Sequence, residues 1–432
     1  MTALVIPAGG GLEVVADTDG WRLDLHGAES EVGSGADSAA DSAPAADVEA
    51  AASRWLIEQL TTTTAPALTE GFELQRFGRT PAAPPAGERV ITADQTHRSV
   101  VVGEQLVVKW LRRTDDAEHP ALRTLHHLEE VGFDGVPATF GALTWRSPSE
   151  RELPCAFVTA FLEGAVDGWQ WCLEALETGL RPGFPAELGL LTARLHVALG
   201  SPSRLLPLPM LAVGAAQLRS WHQQARQRLE ELTARIDELD DAPAGPEGAP
   251  AQQVPSQVLA LNRELMESVL DRLLGVPGRT PVQLIHADLH VGQVLSWSGG
   301  LSVIDFDGSP VLGGTAARQP AARDVAQILL SLDQVGRVAN RRAGYTRTTE
   351  INAWSKAARA DFLVAYRAEL ERVERRDVLD TRLLPSFLAE QACRDLLYAV
   401  RFLPRWAYAT IDGLETILND LPEPIPVVAP EP

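Results

Sequence analysis

Asp288, Gln293 and Asp305 are the residues of this chain whose types and spacing could do chemistry together. Phosphoryl transfer from ATP needs a carboxylate that orients and deprotonates the acceptor hydroxyl, and oxygen ligands for a magnesium ion set between the phosphates. Asp288 suits the first task. Gln293, five residues on, offers a side-chain carbonyl, and Asp305 offers a carboxylate to the metal. This is the spacing of a D-x-x-x-x-N loop followed by a separate acid. A lone Asp more often caps a turn than it catalyses, but three polar groups in this order favour the chemical reading.

Such groups work only where the backbone aims them. Val282 to His286 predicts a short buried strand, which the polar run His286-Ala287-Asp288-Leu289-His290 turns into a loop. Val294 to Trp297 and Leu301 to Phe306 are β-rich, and Ser298-Gly299-Gly300 supplies the positive φ of a tight hairpin. Asp305 therefore falls where the second hairpin strand runs out. Upstream, Val90 to Leu111 reads as strands around a tip, Asp94 to Ser99, in which Thr96, His97 and Ser99 could hold a triphosphate with side chains and backbone N–H groups. Lys109 lies in the apolar run Leu106 to Trp110, where an unpaired ammonium is costly and a nucleotide phosphate would be a partner. On an edge strand the same lysine would point to water. Ala156 to Phe161 reads as a strand running into Leu162-Glu163-Gly164. Arg323-Asp324-Val325-Ala326 opens a helix whose Asp324, in the first turn, could satisfy N–H groups and brace the catalytic loop.

The run His286-Ala287-Asp288-Leu289-His290 with Gln293, followed by Ile304-Asp305-Phe306-Asp307-Gly308, resembles the aminoglycoside phosphotransferase-like kinases. Gln at 293, where those kinases usually carry Asn, is similar to their actinobacterial maltokinase-related branch. Within that branch the C-terminal stretch resembles glucosamine kinases more than true maltokinases. The resemblance runs from about Trp55 to Leu414. It implies an α+β, bilobal protein-kinase-like fold: an N-terminal β-rich cap over residues 1–88, a β-rich ATP lobe over 89–165, and a large helical C-lobe over 166–432 with the catalytic loop and sugar site. ATP and Mg2+ are the implied cofactors, with adenine held by the backbone of the hinge Leu162-Glu163-Gly164, and Ala160 and Leu162 among the nucleotide-binding residues. Lys109 should meet an acid on the helix from about Pro120 to Val131. Glu118, Glu129 and Glu130 are the candidates, and Arg123 stands where the related kinases carry that acid.

Composition narrows the partners. Asp plus Glu outnumber Lys plus Arg by 58 to 38, and a net charge of −20 argues against nucleic acid and anionic membrane. A small polar or cationic substrate fits better. Cys155, Cys172 and Cys393 lie far apart, without metal-ligand spacing, and cannot all pair, which suits a reducing cytoplasm. No leader pattern or membrane-length apolar run is present. A cytoplasmic monomer acting on small molecules is expected.

The remaining segments read as follows. Residues 1–27 suggest a hairpin, 29–51 a mobile acidic loop, Ala52 to Leu60 a helix and Phe72 to Phe77 a strand. Helical patterns cover Trp169 to Leu199, Trp221 to Leu239, Val258 to Leu274, Ile351 to Arg375 and Leu384 to Phe402, with a Pro/Ala/Gly linker at 240–255 and a basic loop from Asn340 to Thr349.

The last helices carry the substrate question. Gln391, Asp395 and Tyr398 recur at i, i+4 and i+7, and Trp406 and Asp412 follow. An aromatic face beside carboxylates and amides is what a sugar site needs, although the same face could instead pack within the lobe. With Asp288 these are the candidate acceptor-binding residues. Maltokinases carry Tyr-Glu pairs where this chain has Tyr398-Ala399 and Arg401, which speaks against maltose. The expected reaction is ATP-dependent phosphorylation of glucosamine to glucosamine 6-phosphate, with Asp395 or Asp412 meeting the amine. Maltose to maltose 1-phosphate, an aminoglycoside-type phosphotransferase and a catalytically dead nucleotide-binding regulator are the alternatives.

Overall fold

The computed structural model describes residues 2–6, 12–17, 20–25, 43–62, 68–91, 97–111, 113–115, 119–240, 253–308 and 318–421. They form two compact units. The first takes in the described residues up to Ala165, with Ser203–Leu205 and 305–308; the second takes in Val166–Pro202, Leu206–Ile304 and the described residues from 318 onward.

In the first unit, β1 (Thr2–Ile6), β2 (Leu12–Asp17) and β3 (Gly20–Leu25) make three antiparallel strands where a single hairpin is predicted. Next, α1 (Ala43–Thr61) takes in part of the stretch read as loop. That part is dominated by alanine, the strongest helix former. The unit continues with β4 (Phe72–Arg76), β5 (Glu88–Ile91), β6 (Arg98–Val102), β7 (Leu106–Trp110), β8 (Arg113–Asp115), α2 (Pro120–Glu130), β9 (Thr139–Arg146) and β10 (Glu152–Ala160). β8 pairs with β3, and the other strands form one antiparallel sheet in the order β4-β9-β10-β7-β6-β5.

β7 is therefore an interior strand. Its burial alternates, with Leu106, Val108 and Trp110 on the buried face and Val107 and Lys109 on the other. Lys109 sits across from Ser99 on β6 and Phe157 on β10, which removes the edge-strand alternative for this lysine. The neighbouring residues are fastened to α1: the Trp110 indole N–H donates to Ser53 Oγ at 2.9 Å, and Arg98 pairs with the buried Glu49 carboxylate at 2.6 Å.

The second unit is mainly helical. The helical pattern from Trp169 to Leu199 resolves into two helices, α3 (Gly168–Thr178) and α4 (Phe184–Leu199). α3 opens on an Asp167 carboxylate that accepts from the Trp169 and Gln170 N–H groups, and it closes on Gly179 at φ 68°. Pro182 lies before α4 and helps to separate the two. There follow β11 (Leu211–Val213), α5 (Ala215–Arg235), α6 (Pro255–Asp271), β12 (Thr280–Val282), β13 (Val294–Trp297), β14 (Gly300–Val303), α7 (Ala322–Arg342), α8 (Thr348–Arg372), α9 (Leu384–Arg401) and α10 (Tyr408–Asn419). Most of the linker at 240–255 lies outside the described residues.

Two further expectations change. The strand predicted to reach His286 stops at Val282, because the His286 and Ala287 N–H groups go to the Asp324 carboxylate and not to a neighbouring strand. The basic loop shrinks to 343–347 as α7 and α8 extend into it, with Asn340 Nδ2 donating to Thr348 Oγ1 across the turn.

α7 is buried along nearly its whole length and forms the axis of this unit. On one side Asp333, fully buried, accepts from Arg337 Nε at 3.0 Å and from Arg359 Nη1 of α8 at 3.1 Å. Gly413 of α10 lies against this network, and a Cβ there would stand 2.0 Å from Asp333 Oδ2. We expect Gly413→Ala to destabilise the protein by about 1–3 kcal/mol, the usual cost of overpacking, and to lower Tm. A Tm equal to that of the wild type would show that the network can give way.

Among the described residues no helix is long and apolar enough to cross a membrane. All three cysteines are buried and free.

Candidate active site

The loop after β12 is held from one face of α7. Asp324, fully buried, accepts from His286 N–H at 2.8 Å and Ala287 N–H at 2.9 Å. These bonds secure Ala287 at φ 70°, a left-handed conformation that a residue with a Cβ adopts only under constraint. His196 of α4 braces the acid, with Nε2 3.1 Å from Asp324 Oδ2 and Nδ1 2.7 Å from the Tyr366 hydroxyl. His286 points its Nε2 at the Ile304 carbonyl, 2.8 Å away, and its Nδ1 accepts from Asp288 N–H at 3.3 Å. Those two bonds require the tautomer with the proton on Nε2. Further along, Val291 N–H donates to Ser331 Oγ at 3.1 Å, and the Gln293 carbonyl accepts from Ile304 N–H at 2.9 Å. The Asp288 carboxylate is itself held: Gln327 Nε2 donates to its Oδ1 at 2.7 Å.

In the first unit Lys109 meets two carboxylates, Asp305 Oδ1 and Asp307 Oδ2, each 2.6 Å from its ammonium nitrogen. Asp307 also lies 3.1 Å from His97 Nε2. Burial works against the lysine's charge, yet Asp307 and Asp305 together hold its pKa above the ordinary value. Burial likewise opposes the Asp307 charge, but the His97 hydrogen bond and the Lys109 ammonium keep that carboxyl below the usual range. Burial and the Asp307 charge push Asp305 the other way, as expected when two neighbouring carboxylates share one cation. Asp305 adopts φ 68°.

The acid expected for Lys109 on α2 is not there. Glu129 pairs with Arg79 at 3.0 Å and accepts from Thr139 N–H, while Glu130 pairs with Arg204 at 2.6 Å. Glu118 lies outside the described residues, as does Thr96. Ser99 is buried. Ala160 N–H is taken by the Ala138 carbonyl and Phe161 N–H by that of Gln105, both at 2.8 Å. Leu162 is buried, and its carbonyl accepts from Ala165 N–H.

Two turns beyond Gln327 on α7, Gln334 Nε2 donates to Asp395 Oδ2 at 2.7 Å and reaches Thr410 Oγ1 at 2.9 Å. Gln391 Nε2 donates to the other oxygen of Asp395 at 2.7 Å. Arg394 Nη1 donates to Gln391 Oε1 at 2.9 Å, and both Arg394 and Asp395 lie within electrostatic reach of Asp288. Burial pushes the Asp395 carboxyl up to about 6 in spite of its two amide donors. Behind it, Glu390 is buried between Arg228 and Arg323 at 2.5 and 2.9 Å.

Of the sequence-predicted acceptor residues, Gln391 and Asp395 are joined directly, and Asp288 is held by Gln327, two turns along α7 from the Gln334 that holds Asp395. Tyr398 is not joined to them: it is 41% exposed, with its ring 5.0 Å from that of Phe402. Trp406 is half-buried and stacks on Tyr408. Asp412 accepts from the Tyr345 hydroxyl at 3.1 Å, in a separate cluster near Arg337 and Arg341.

Two curated relatives are informative. A glucosamine kinase of Streptacidiphilus jiangxiensis is 37% identical over 364 residues, covering 81% of this chain and 77% of its own. A glucosamine kinase of Mycolicibacterium smegmatis is 33% identical over 344 residues, covering 77% and 80%. The chain belongs to the glucosamine kinase family. A solved glucosamine kinase in complex with glucosamine, ADP and inorganic phosphate superposes with a TM-score of 0.75 at 32% identity, covering 97% of this chain and 94% of its own. No family model matches the chain. The α+β protein-kinase-like fold read from residues 286–308 is that of this family of ATP-dependent sugar phosphotransferases.

Four residues in these clusters escaped the reading of the sequence as site residues: Asp307, Gln327, Gln334 and Arg394. Asp307 was visible, two positions after Asp305. Gln327 and Gln334 carry no local signal, since an amide on a helix acquires a role only from what the fold sets opposite it.

Proposed function

We propose that the chain transfers the γ-phosphoryl group of ATP to glucosamine, giving glucosamine 6-phosphate and ADP. The observation that carries this reading is Asp395, a carboxylate within electrostatic reach of Asp288 and held on both oxygens by amides, in a chain of this family. Asp288 takes the proton of the acceptor hydroxyl as its oxygen bonds to the γ-phosphorus and ADP departs. Asp395, in place of Asp412, receives the ammonium of the sugar. Gln391 fixes hydroxyls, and Trp406 offers aromatic surface to the ring; Tyr398, turned to Phe402, is left out of the site. Because Ala160 and Phe161 N–H groups are already engaged, adenine recognition falls to the Ala160 carbonyl and the Leu162 N–H. Thr96, His97, Ser99 and Lys109 serve the phosphates.

Magnesium suits the donor set. Two carboxylates, Asp305 and Asp307, already hold one cation, the Lys109 ammonium, and carboxylate and amide oxygens are the hard donors that magnesium takes alongside phosphate and water. Asp305 and Gln293 are its proposed ligands, and the ion would offset charge on the phosphates. Residues 1–88 are proposed as a cap, 89–165 as the ATP lobe and 166–432 as the helical lobe of a cytoplasmic monomer.

ATP consumption with glucosamine, glucose, maltose and kanamycin tests the assignment; faster turnover of maltose than of glucosamine would overturn it. A pH series tests the amine's partner. Below about pH 6 the Asp395 carboxyl takes up a proton and loses the charge that pairs with the ammonium. KM for glucosamine should therefore rise as pH falls through that value, while KM for glucose does not follow. Asp395→Asn should abolish the difference and erase a preference of about 10- to 100-fold in kcat/KM. Equal pH slopes for the two sugars would remove Asp395 from the role.

A further inference from the structure

Asp324, Gln327 and Ser331 follow one another on α7 at intervals of three and four residues and so share one face. All three touch the loop 286–291, but at different kinds of atom. Asp324 holds the backbone N–H groups of His286 and Ala287, and Ser331 holds that of Val291. Gln327 holds the Asp288 side chain, with Nε2 2.7 Å from Oδ1. The Asp288 N–H, donated to His286 Nδ1, anchors the main chain and leaves the carboxylate free to turn about its side-chain bonds. Gln327 is itself only 6% exposed, so its amide is committed to a partner inside the protein. A hydrogen bond from a buried amide to an ionised carboxylate is short and strong, and it fixes which oxygen is engaged.

Building on the assignment of Asp288 as the base, we propose that Gln327 is a positioning residue for phosphoryl transfer: by engaging Oδ1 it sets the rotamer that presents Oδ2 to the acceptor hydroxyl. Transfer then needs no search of carboxylate orientations, and a misplacement on the order of 1 Å costs about 10²-fold. The charged and titratable groups around the base are His286 of its own loop and Arg394 and Asp395 of α9. Gln334 repeats the device two turns along α7 on Asp395.

Two variants of the full-length protein test this. Gln327→Met keeps length and apolar bulk but removes the donor. It should lower kcat by about 10- to 100-fold, with KM for ATP within about twofold of the wild type and an unaltered Tm. Gln327→Glu places a second carboxyl against Asp288, and the two must share a proton at low pH. The acid limb of its log kcat profile should move up by about one pH unit or more. Ser331→Ala, on the same face but touching only backbone, should leave that limb in place. Gln327→Met turning over within about threefold of the wild type, or Gln327→Glu with the wild-type acid limb, would overturn the proposal. Should Gln327→Met fail to fold, Gln327→Glu decides by itself. If Asp288→Asn is inactive while Gln327→Met is fully active, only the positioning role fails; if Asp288→Asn turns over normally, the assignment of the base fails first.

Discussion

Asp288→Asn is expected to lower kcat by at least about 10²-fold while Tm and nucleotide affinity stay at wild-type values. The separation is possible because the loop is secured independently of this side chain. Asp324 holds His286 and Ala287, Ser331 holds Val291, and the Asp288 main chain is tied to His286 Nδ1. An asparagine oxygen can still accept from Gln327, so the substitution removes the proton-accepting charge and little else. The measurements are initial rates of ADP release with saturating glucosamine, calorimetric titration with ATP, and a thermal melt. Wild-type turnover would assign the base elsewhere; a large fall in Tm would show that the carboxylate is needed to build the loop.

The second large effect concerns the cation. Asp305→Ala should cost about 10²- to 10³-fold in kcat/KM for ATP with magnesium, since the ion that Asp305 would hold would offset several kcal/mol of charge developing on the phosphates. The fold should survive, because Lys109 keeps Asp307 as a partner at 2.6 Å. Gln293→Asn retains an amide oxygen on a shorter arm and should be milder than Gln293→Leu. Calorimetry with and without magnesium separates the effects: Asp305→Ala should bind ATP about equally in the two conditions, whereas the wild type should gain affinity from the metal. An unchanged magnesium dependence would place the ion on other residues.

The sequence by itself determined the parts of the site that are local. Asp288, Gln293 and Asp305 sit in one stretch where a loop, a Gly-containing hairpin and a strand end follow each other, so spacing along the chain is enough to single them out as candidates for one chemistry. Asp324 at the first turn of its helix was legible as the brace of the catalytic loop for the same reason, a helix N-terminus being readable from its residues. Lys109 could be singled out by its apolar surroundings, but not provided with a partner. Only the tertiary structure decided that β7 lies inside the sheet and that the partners are Asp305 and Asp307, not an acid of α2. It alone decided that α7 presents Gln327 to Asp288 and Gln334 to Asp395, and that Asp412 belongs to a different cluster from Asp395. The physical reason is that a hydrogen bond acts over about 3 Å in space. Its two ends can be remote in the chain, and only the packing of the sheet and of α7 brings them together.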